Sequence, residues 1–239
     1  PGGGRLRGVS ENTAGSPGEP GTAIITGASS GIGREYALAL ARRGYRLILN
    51  GRRTEKLDLL RKDVAALYAA DDGGTEGSRP GTGKADRTPP AEVITGDLRD
   101  PEVLSDLLAA VSDCRDLKFL IHNAGYGHTE RFSSLPPEDL RGMAEVHMGA
   151  AVALIRAAIH GLPDKVSPAQ EAAVILVSSL AAFFPAPGPA MYTSTKRFLV
   201  SLSRSLHPEL AARGVRSQVL CPGFTRTDFH DKLHWSAES

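Results

Sequence analysis

A tyrosine and a lysine four residues apart, Tyr192 and Lys196, are well suited to move a proton. On a helix this spacing places both side chains on the same face. Tyrosine is a poor base because its unperturbed pKa lies near 10, but a lysine cation within a few Å favours the phenolate and lowers that pKa. The pair could therefore exchange a proton near neutral pH. If it stood alone, a chance pairing on an exposed helix face would be the better interpretation.

A glycine-rich turn near the start of the sequence is suited to hold phosphate. Its sequence TGASSGIG, at 26–33, follows the apolar run 22–25 and opens a helical segment. Unpaired N–H groups and the positive end of the helix dipole bind a pyrophosphate where no side chain intervenes. Gly27 can make the tight turn, Gly31 can let the backbone approach the ligand and Gly33 can let the helix pack on the strand. The predicted cofactor contacts are Gly27, Ser29, Ser30, Gly31, Ile32 and Gly33.

The same turn admits two other interpretations. Residues 27–31 match the G-x-S-x-G nucleophile elbow of hydrolases. An elbow needs a sheet already built before it, and an acid and then a histidine after it, whereas this motif follows the first strand. A strand-to-helix turn without any ligand is the second alternative, and only the downstream residues weigh against it.

Two arginines, Arg52 and Arg53, follow the second predicted strand and indicate the cofactor. In a dinucleotide fold an acidic residue at this place binds the free 2′-hydroxyl of the adenosine ribose, whereas arginine accommodates a 2′-phosphate. The positions before the arginines hold Asn50 and Gly51, so the acid that would repel a phosphate is absent. We therefore expect NADP(H) to be preferred over NAD(H). The alternative is that both arginines are solvated residues at a helix start.

Apolar runs typical of strands alternate with segments of helical spacing. Strands are expected at 22–25, 45–49, 91–95, 119–121, 173–177 and 215–220. Helices are expected at 34–43, 54–68, 101–111, 138–161 and 192–213. The alternation predicts one α/β domain with a doubly wound parallel sheet, a Rossmann fold. Ligands bind outside the carboxyl ends of such strands, where the glycine turn, the two arginines, Asp97, the segment 123–125 and Ser179 all fall.

Composition limits the partners and the location. The 239 residues carry 28 Lys and Arg against 27 Asp and Glu, so bulk charge would not draw in nucleic acid or an anionic membrane. The longest apolar run, 172–184, is too short and interrupted to span a bilayer. Cys114 and Cys221 lie far apart in the sequence and do not have the spacing of metal ligands. A reducing compartment, the cytoplasm, is therefore expected, although a disulfide between the two cysteines is an open alternative.

Three segments are predicted to lack catalytic chemistry. Residues 1–21 are rich in glycine and proline and are expected to form a flexible tail without the apolar segment of a signal peptide. An insertion at about 71–90 is expected to be a disordered part of the domain that spans 22–239. His230, Asp231 and His234 echo a zinc motif, but a third ligand is missing, so no metal is expected.

Taken together, the motifs TGASSGIG, HNAG, a serine at a strand end, YTSTK and PG occur in an order that resembles the short-chain dehydrogenase/reductase family. The resemblance covers about residues 22–230. It implies that Tyr192 donates or accepts the proton, Ser179 holds the substrate oxygen, and Lys196 lowers the tyrosine pKa and binds the nicotinamide ribose. It also implies a homo-oligomer and further cofactor contacts from Asp97, Leu98, Asn123, Ala124, Gly125, Pro222, Gly223 and Thr225.

Three departures from the family pattern are visible. His122 precedes the NAG segment where the family usually has asparagine. His147 stands where the catalytic tetrad has asparagine, either as a proton-carrying replacement or as a core histidine that only packs. The sequence also ends before the family's seventh strand, so the chain is expected to be truncated or the sheet to close differently.

The resemblance and the arginines together predict an NADP(H)-dependent oxidoreductase that interconverts a ketone or aldehyde and an alcohol. The alternative is a regulator or pseudoenzyme that binds the cofactor without turnover. A hydrophobic substrate is indicated by the apolar residues Phe183, Phe184, Pro185 and Pro187.

Overall fold

Short apolar runs pair into one parallel sheet in the computed structural model, which describes residues 20–71, 91–128, 130–166, 171–184 and 188–223. Within these ranges the strands are β1 Thr22–Thr26, β2 Arg46–Gly51, β3 Ala91–Thr95, β4 Leu117–His122, β5 Ala173–Val177 and β6 Arg216–Leu220. The strand order is β3-β2-β1-β4-β5-β6. The order reverses between β1 and β4, which creates the crevice where α/β sheets bind ligands. The predicted Rossmann fold is confirmed.

Helices cover both faces of the sheet. They are α1 Gly31–Arg42, α2 Thr54–Asp71, α3 Pro101–Asp113, α4 Pro137–Ala144, α5 Ala150–Gly161 and α6 Ala190–Ala211, with short 3-10 turns at Phe132–Ser134 and Leu180–Phe183. Alternate residues of β1 point to opposite faces, so Ile24 packs with the side chains of α3, α5 and α6 while Ile25 packs with those of α1 and α2. Both isoleucines are completely buried, which is worth roughly 1.5–3 kcal/mol each.

The helix predicted at 138–161 is interrupted by a π-turn, Glu145–Gly149. At its end the Ala150 N–H donates to the Glu145 carbonyl, five residues back. A π-turn of this kind is common at functional sites, and the 3.6-residue period of the apolar face does not reveal it. Pro137–Gly161 is also long and apolar enough by composition to cross a membrane, but half of the apolar window found in it is buried inside this fold.

The predicted ends of the domain fall mostly outside the described residues. Gly21, predicted to end the flexible tail, is at the start of the fold, because its carbonyl accepts the Arg46 N–H at 3.1 Å. Asp71 belongs to α2, and the rest of the predicted insertion is outside the described ranges. So are His230, Asp231 and His234, and no group of His, Cys, Asp or Glu in the described ranges could hold a metal ion. Cys114 and Cys221 are free thiols.

Candidate active site

The glycine turn leaves helix α1 open toward the crevice. Gly27 has a φ of +64°, which side chains other than glycine rarely adopt. A Cβ on Gly33 would lie 2.5 Å from the Gly27 carbonyl oxygen, so only glycine lets α1 pack so closely. Ser30, at the N-cap, makes no side-chain hydrogen bond to the helix, and the first turn contains no acidic residue. The turn therefore keeps the electrostatic character of an anion site.

Asn123 braces this turn from the neighbouring strand. Its side-chain amide donates to the carbonyls of Thr26 at 3.3 Å and of Gly27 at 2.9 Å. The backbone N–H groups of Asn123 and Ala124 both donate to the Thr26 hydroxyl, at 3.1 and 3.0 Å. The segment after β4, residues 123–127, thus fixes the shape of the turn after β1.

A cleft of about 540 Å³ runs along the carboxyl edge of the sheet. It is lined by every predicted site residue that the structure describes, except Gly33 and His147. Thr225 is outside the described residues. Lining residues that the sequence analysis did not single out as site residues are Asn50, Gly51, Gly96, Tyr126, Gly127, Val146, Val177 and Ser178.

The two arginines after β2 have different neighbours. The Arg53 guanidinium donates to the hydroxyls of Ser29, at 3.3 Å, and Ser30. Arg52 lies 3.3 Å from the Asp97 carboxylate. Arg53 is thus tied to the glycine turn and Arg52 to the segment after β3, and both line the cleft.

Arg99, which the sequence analysis missed, holds Asp97 in place. Its side chain donates to both carboxylate oxygens, at 3.1 and 2.9 Å, and its backbone N–H donates at 3.0 Å. Burial would by itself raise the pKa of Asp97, but the hydrogen bonds and charge of Arg99, with the charge of Arg52, hold that pKa below its usual value. The guanidinium groups of Arg52 and Arg99 each lie 5.8 Å from the centre of the Tyr126 ring. Tyr126 could have been suspected from its place directly after the NAG segment.

Ser179, Tyr192 and Lys196 come together at the β5 side of the cleft. Lys196 is buried. Its Nζ donates to the Val177 carbonyl at 3.0 Å and lies 5.8 Å from the centre of the Tyr192 ring. Burial lowers the pKa of Lys196 to about 8. Burial also raises the pKa of Tyr192, and a hydrogen bond with Ser179 opposes that change. The tyrosine pKa therefore moves opposite to the predicted direction, because desolvation of the phenolate dominates.

The two adjacent serines have different partners. The Ser178 hydroxyl donates to the Lys196 backbone carbonyl at 2.7 Å, so it ties β5 to α6. Ser179 caps the following 3-10 turn by accepting the Ala181 N–H at 3.2 Å and contacts Tyr192. This arrangement supports the choice of Ser179 as the substrate-facing serine, which stays a prediction.

His147 lies behind the cleft wall and is completely buried. Its Nε2 accepts the Tyr126 N–H at 3.1 Å, and its Nδ1 lies 2.7 Å from the Thr195 hydroxyl. Burial, with the nearby charge of Lys196, lowers the pKa of His147 well below its usual value. His122 is also buried, and for the same two reasons its pKa falls to about 3. A catalytic role for His147 stays a prediction.

Acid is expected to destabilise the protein through these two histidines. The unfolded chain binds a proton at His122 near pH 6.5, whereas the folded chain does so only near pH 3. The stability that comes from the neutral His122 is therefore fully present above pH 6.5 and is lost as the pH falls from 6.5 toward 3. At pH 5.5 the loss from His122 is about 1 kcal/mol of unfolding free energy. Urea unfolding of the wild type and of His122→Asn at pH 7.5 and 5.5 measures it. An equal pH dependence in both proteins would contradict the assignment.

The family model for short chain dehydrogenase matches residues 21–73 and 82–237. The chain belongs to the short-chain dehydrogenase family. A relative in this family, an uncharacterized oxidoreductase of Myxococcus xanthus, is 32% identical over 207 residues, which cover 87% of this chain and 73% of that protein. An inactive hydroxysteroid dehydrogenase-like protein 1 of Homo sapiens is 27% identical over 208 residues, and the match covers 86% of this chain and 56% of that protein. The chain therefore spans little more than half the length of that relative.

A solved member of the short-chain dehydrogenase family shares the fold. The enzyme from Sphingobium yanoikuyae in complex with NADPH is 28% identical, has a TM-score of 0.72, and the match covers 91% of this chain and 76% of that one. Membership confirms the predicted class, an NAD(P)-dependent short-chain dehydrogenase/reductase that acts on CH–OH or carbonyl groups.

Proposed function

We propose that this protein is an NADP(H)-dependent oxidoreductase that reduces a ketone or aldehyde to an alcohol. The observation that carries the proposal is that Ser179, Tyr192 and Lys196 line the same cleft as the glycine turn and the two arginines. Arg52 follows β2 and Ser179 follows β5, with β1 and β4 between them. Strands about 4.8 Å apart separate these positions by about 14 Å, a span suited to an extended dinucleotide.

The proposed proton transfer follows from the positions of three side chains. The nicotinamide cofactor supplies the hydride when it is bound. The hydroxyls of Ser179 and Tyr192 hold the carbonyl oxygen of the substrate, and Tyr192 gives its proton to that oxygen as negative charge develops. The Lys196 cation then stabilises the phenolate that remains. Burial raises the pKa of Tyr192, so the hydroxyl is protonated near neutral pH and can donate its proton during carbonyl reduction.

Three observations support NADP(H) over NAD(H). The end of β2 has no carboxylate, and the Asn50 amide there donates to the Ile94 carbonyl at 3.0 Å. The Arg53 guanidinium and the hydroxyls of Ser29 and Ser30 form a cluster of donors that fits a 2′-phosphate. The related Sphingobium yanoikuyae enzyme was solved in complex with NADPH.

A hydrophobic substrate is supported by the apolar surface next to Ser179. Leu180 and Phe184 are 47% and 62% exposed, and Leu180 lies 3.9 Å from the position of a Cβ on Gly223. Exposed apolar side chains beside a cleft lower their free energy when an apolar ligand covers them. Pro185 and Pro187 are outside the described residues. The homo-oligomer and the cytoplasmic location stay predictions.

A regulator that binds the cofactor without turnover is the second candidate. It is favoured by His147 in place of the tetrad asparagine and by the relative named inactive hydroxysteroid dehydrogenase-like protein 1. The presence of Ser179, Tyr192 and Lys196 in one cleft weighs against it.

The experiment that separates the two candidates follows NADPH in two ways. Loss of NADPH absorbance is measured over a panel of apolar ketones and aldehydes, and NADPH binding is measured by fluorescence. We expect binding together with turnover of at least one bulky apolar carbonyl compound. Binding without turnover over the whole panel would favour the regulator, and absence of binding would contradict both candidates.

A further inference from the structure

The hydrogen bonds of His122 determine which ring nitrogen carries its proton. The Thr26 hydroxyl already accepts two backbone N–H groups, from Asn123 and Ala124, so its own proton is directed to His122 Nδ1, 3.2 Å away. The proton of the neutral ring is then on Nε2, which donates to the Val146 carbonyl at 3.1 Å. His122, at the end of β4, is thereby bonded to the π-turn.

The hydrogen bonds of His147 place the ring proton on the other nitrogen, Nδ1. Its Nε2 accepts the Tyr126 N–H, so this nitrogen carries no proton. The proton is on Nδ1 and is donated to the Thr195 hydroxyl, which donates in turn to the Tyr192 carbonyl at 2.9 Å. His147, in the π-turn, is thereby bonded to the segment after β4 and to helix α6.

The segment after β4 passes directly beside Lys196. A Cβ on Gly125 would lie 2.9 Å from His147 Nε2 and 3.1 Å from Lys196 Nζ. A Cβ on Gly127 would lie 3.0 Å from the Tyr192 ring. Any outward movement of this segment therefore changes the surroundings of both Lys196 and Tyr192.

We propose that His122 and His147 form a two-histidine latch that positions the segment after β4 against the π-turn, and thereby the Tyr192–Lys196 pair. The latch consists of the His122 bond to the Val146 carbonyl and the His147 bond to the Tyr126 N–H. Each histidine is a positioning residue. Only the expected effect of the latch on kcat rests on the proposed function. Neither histidine relays protons in this arrangement, because Nε2 of each ring is bonded to a backbone group, the Val146 carbonyl or the Tyr126 N–H, that does not pass a proton on.

Burial and the neighbouring charges support two neutral rings. Among the residues that the structure describes, the titratable groups around His147 are Lys196 and Tyr192 on α6, Tyr126 in the segment after β4 and His122 on β4. None of these is a carboxylate that would stabilise an imidazolium, and the lysine cation opposes one. A second proton on His147 Nε2 would also place it against the Tyr126 N–H.

The ring tautomers test the latch without any need for activity. We expect 15N NMR of the imidazoles at pH 6 to show His122 neutral with its proton on Nε2, and His147 neutral with its proton on Nδ1. The Asn variants of each position assign the signals. A charged ring, or the reverse tautomer at either position, would overturn the latch whether or not the protein turns over a substrate.

Amide variants test its kinetic consequence, once turnover of a carbonyl compound is established. A glutamine places its terminal group near the position of a histidine Nε2, whereas an asparagine reaches only the position of Nδ1. His147→Gln can keep the bond to the Tyr126 N–H, and His147→Asn keeps only the bond to Thr195. We therefore expect His147→Asn to lower kcat by roughly tenfold to a hundredfold and His147→Gln to lose clearly less.

The same pattern is expected at His122, where glutamine can keep the bond to the Val146 carbonyl. His207→Gln, an exposed histidine of α6, is the matched control and should leave kcat unchanged. A proton relay would instead make asparagine the better replacement at 147 and would change the shape of the pH–rate profile near pH 6–7. Either of these two results would overturn the latch.

Discussion

Replacing Tyr192 by phenylalanine is expected to lower kcat by about a thousandfold or more while leaving the Kd for NADPH nearly unchanged. The variant removes only the hydroxyl, and the hydroxyl is the group that gives the proton to the substrate oxygen. The phenylalanine ring keeps the packing against His147, whose ring centre lies 6.0 Å from that of Tyr192. Steady-state rates of NADPH oxidation and a fluorescence titration of NADPH give the two quantities.

Tyr45→Phe is a matched control for this result. Tyr45 is buried, at 7% exposure, packs against Phe119 and does not line the cleft. We expect this control to turn over at the wild-type rate. If Tyr192→Phe retained more than a few per cent of the wild-type kcat, Tyr192 would not be the proton donor.

Replacing Arg52 or Arg53 by aspartate is expected to shift the cofactor preference toward NADH. The ratio of kcat/KM for NADPH to kcat/KM for NADH should fall on the order of a hundredfold, because charge-assisted contacts to a phosphate are lost and a carboxylate can accept the free ribose hydroxyl. Kinetics with both cofactors at one substrate concentration measure this ratio.

The two arginine variants should differ from each other in a second property. Arg52 also lies 3.3 Å from Asp97, so Arg52→Asp places two carboxylates close together, while Arg53→Asp meets the hydroxyls of Ser29 and Ser30. We therefore expect Arg52→Asp to weaken adenine-side binding of both cofactors as well. Arg61→Asp makes the same charge change on α2, outside the cleft, and should leave the ratio unchanged. An unmoved ratio in both cleft variants would mean that the phosphate is bound elsewhere.

The sequence by itself predicted features that depend on neighbours along the chain. The Tyr192–Lys196 pair needs only the helical period, and the glycine turn needs only a strand, three glycines and a helix start. Strand and helix alternation likewise predicted the doubly wound parallel sheet, which the structure confirms. Errors at the ends of elements were small, such as α1 beginning at Gly31 and not at Arg34.

Tertiary structure decided the features that depend on burial. Sequence spacing predicts a lysine beside Tyr192, but the direction of the tyrosine pKa follows from how far the phenolate is removed from water. The tertiary structure also showed that Ser178 and Ser179 have different partners, as do Arg52 and Arg53. These contacts join different strands and helices, so the local sequence does not reveal them.

The protonation of His122 and His147 shows most clearly what the sequence determines and what only the fold determines. The sequence identified both as departures from the family and left His147 between a proton carrier and a packing residue. Its tautomer depends on a backbone N–H 21 residues away and a hydroxyl 48 residues away. No local pattern encodes such contacts, since they form only when the segment after β4, the π-turn and helix α6 meet in the fold.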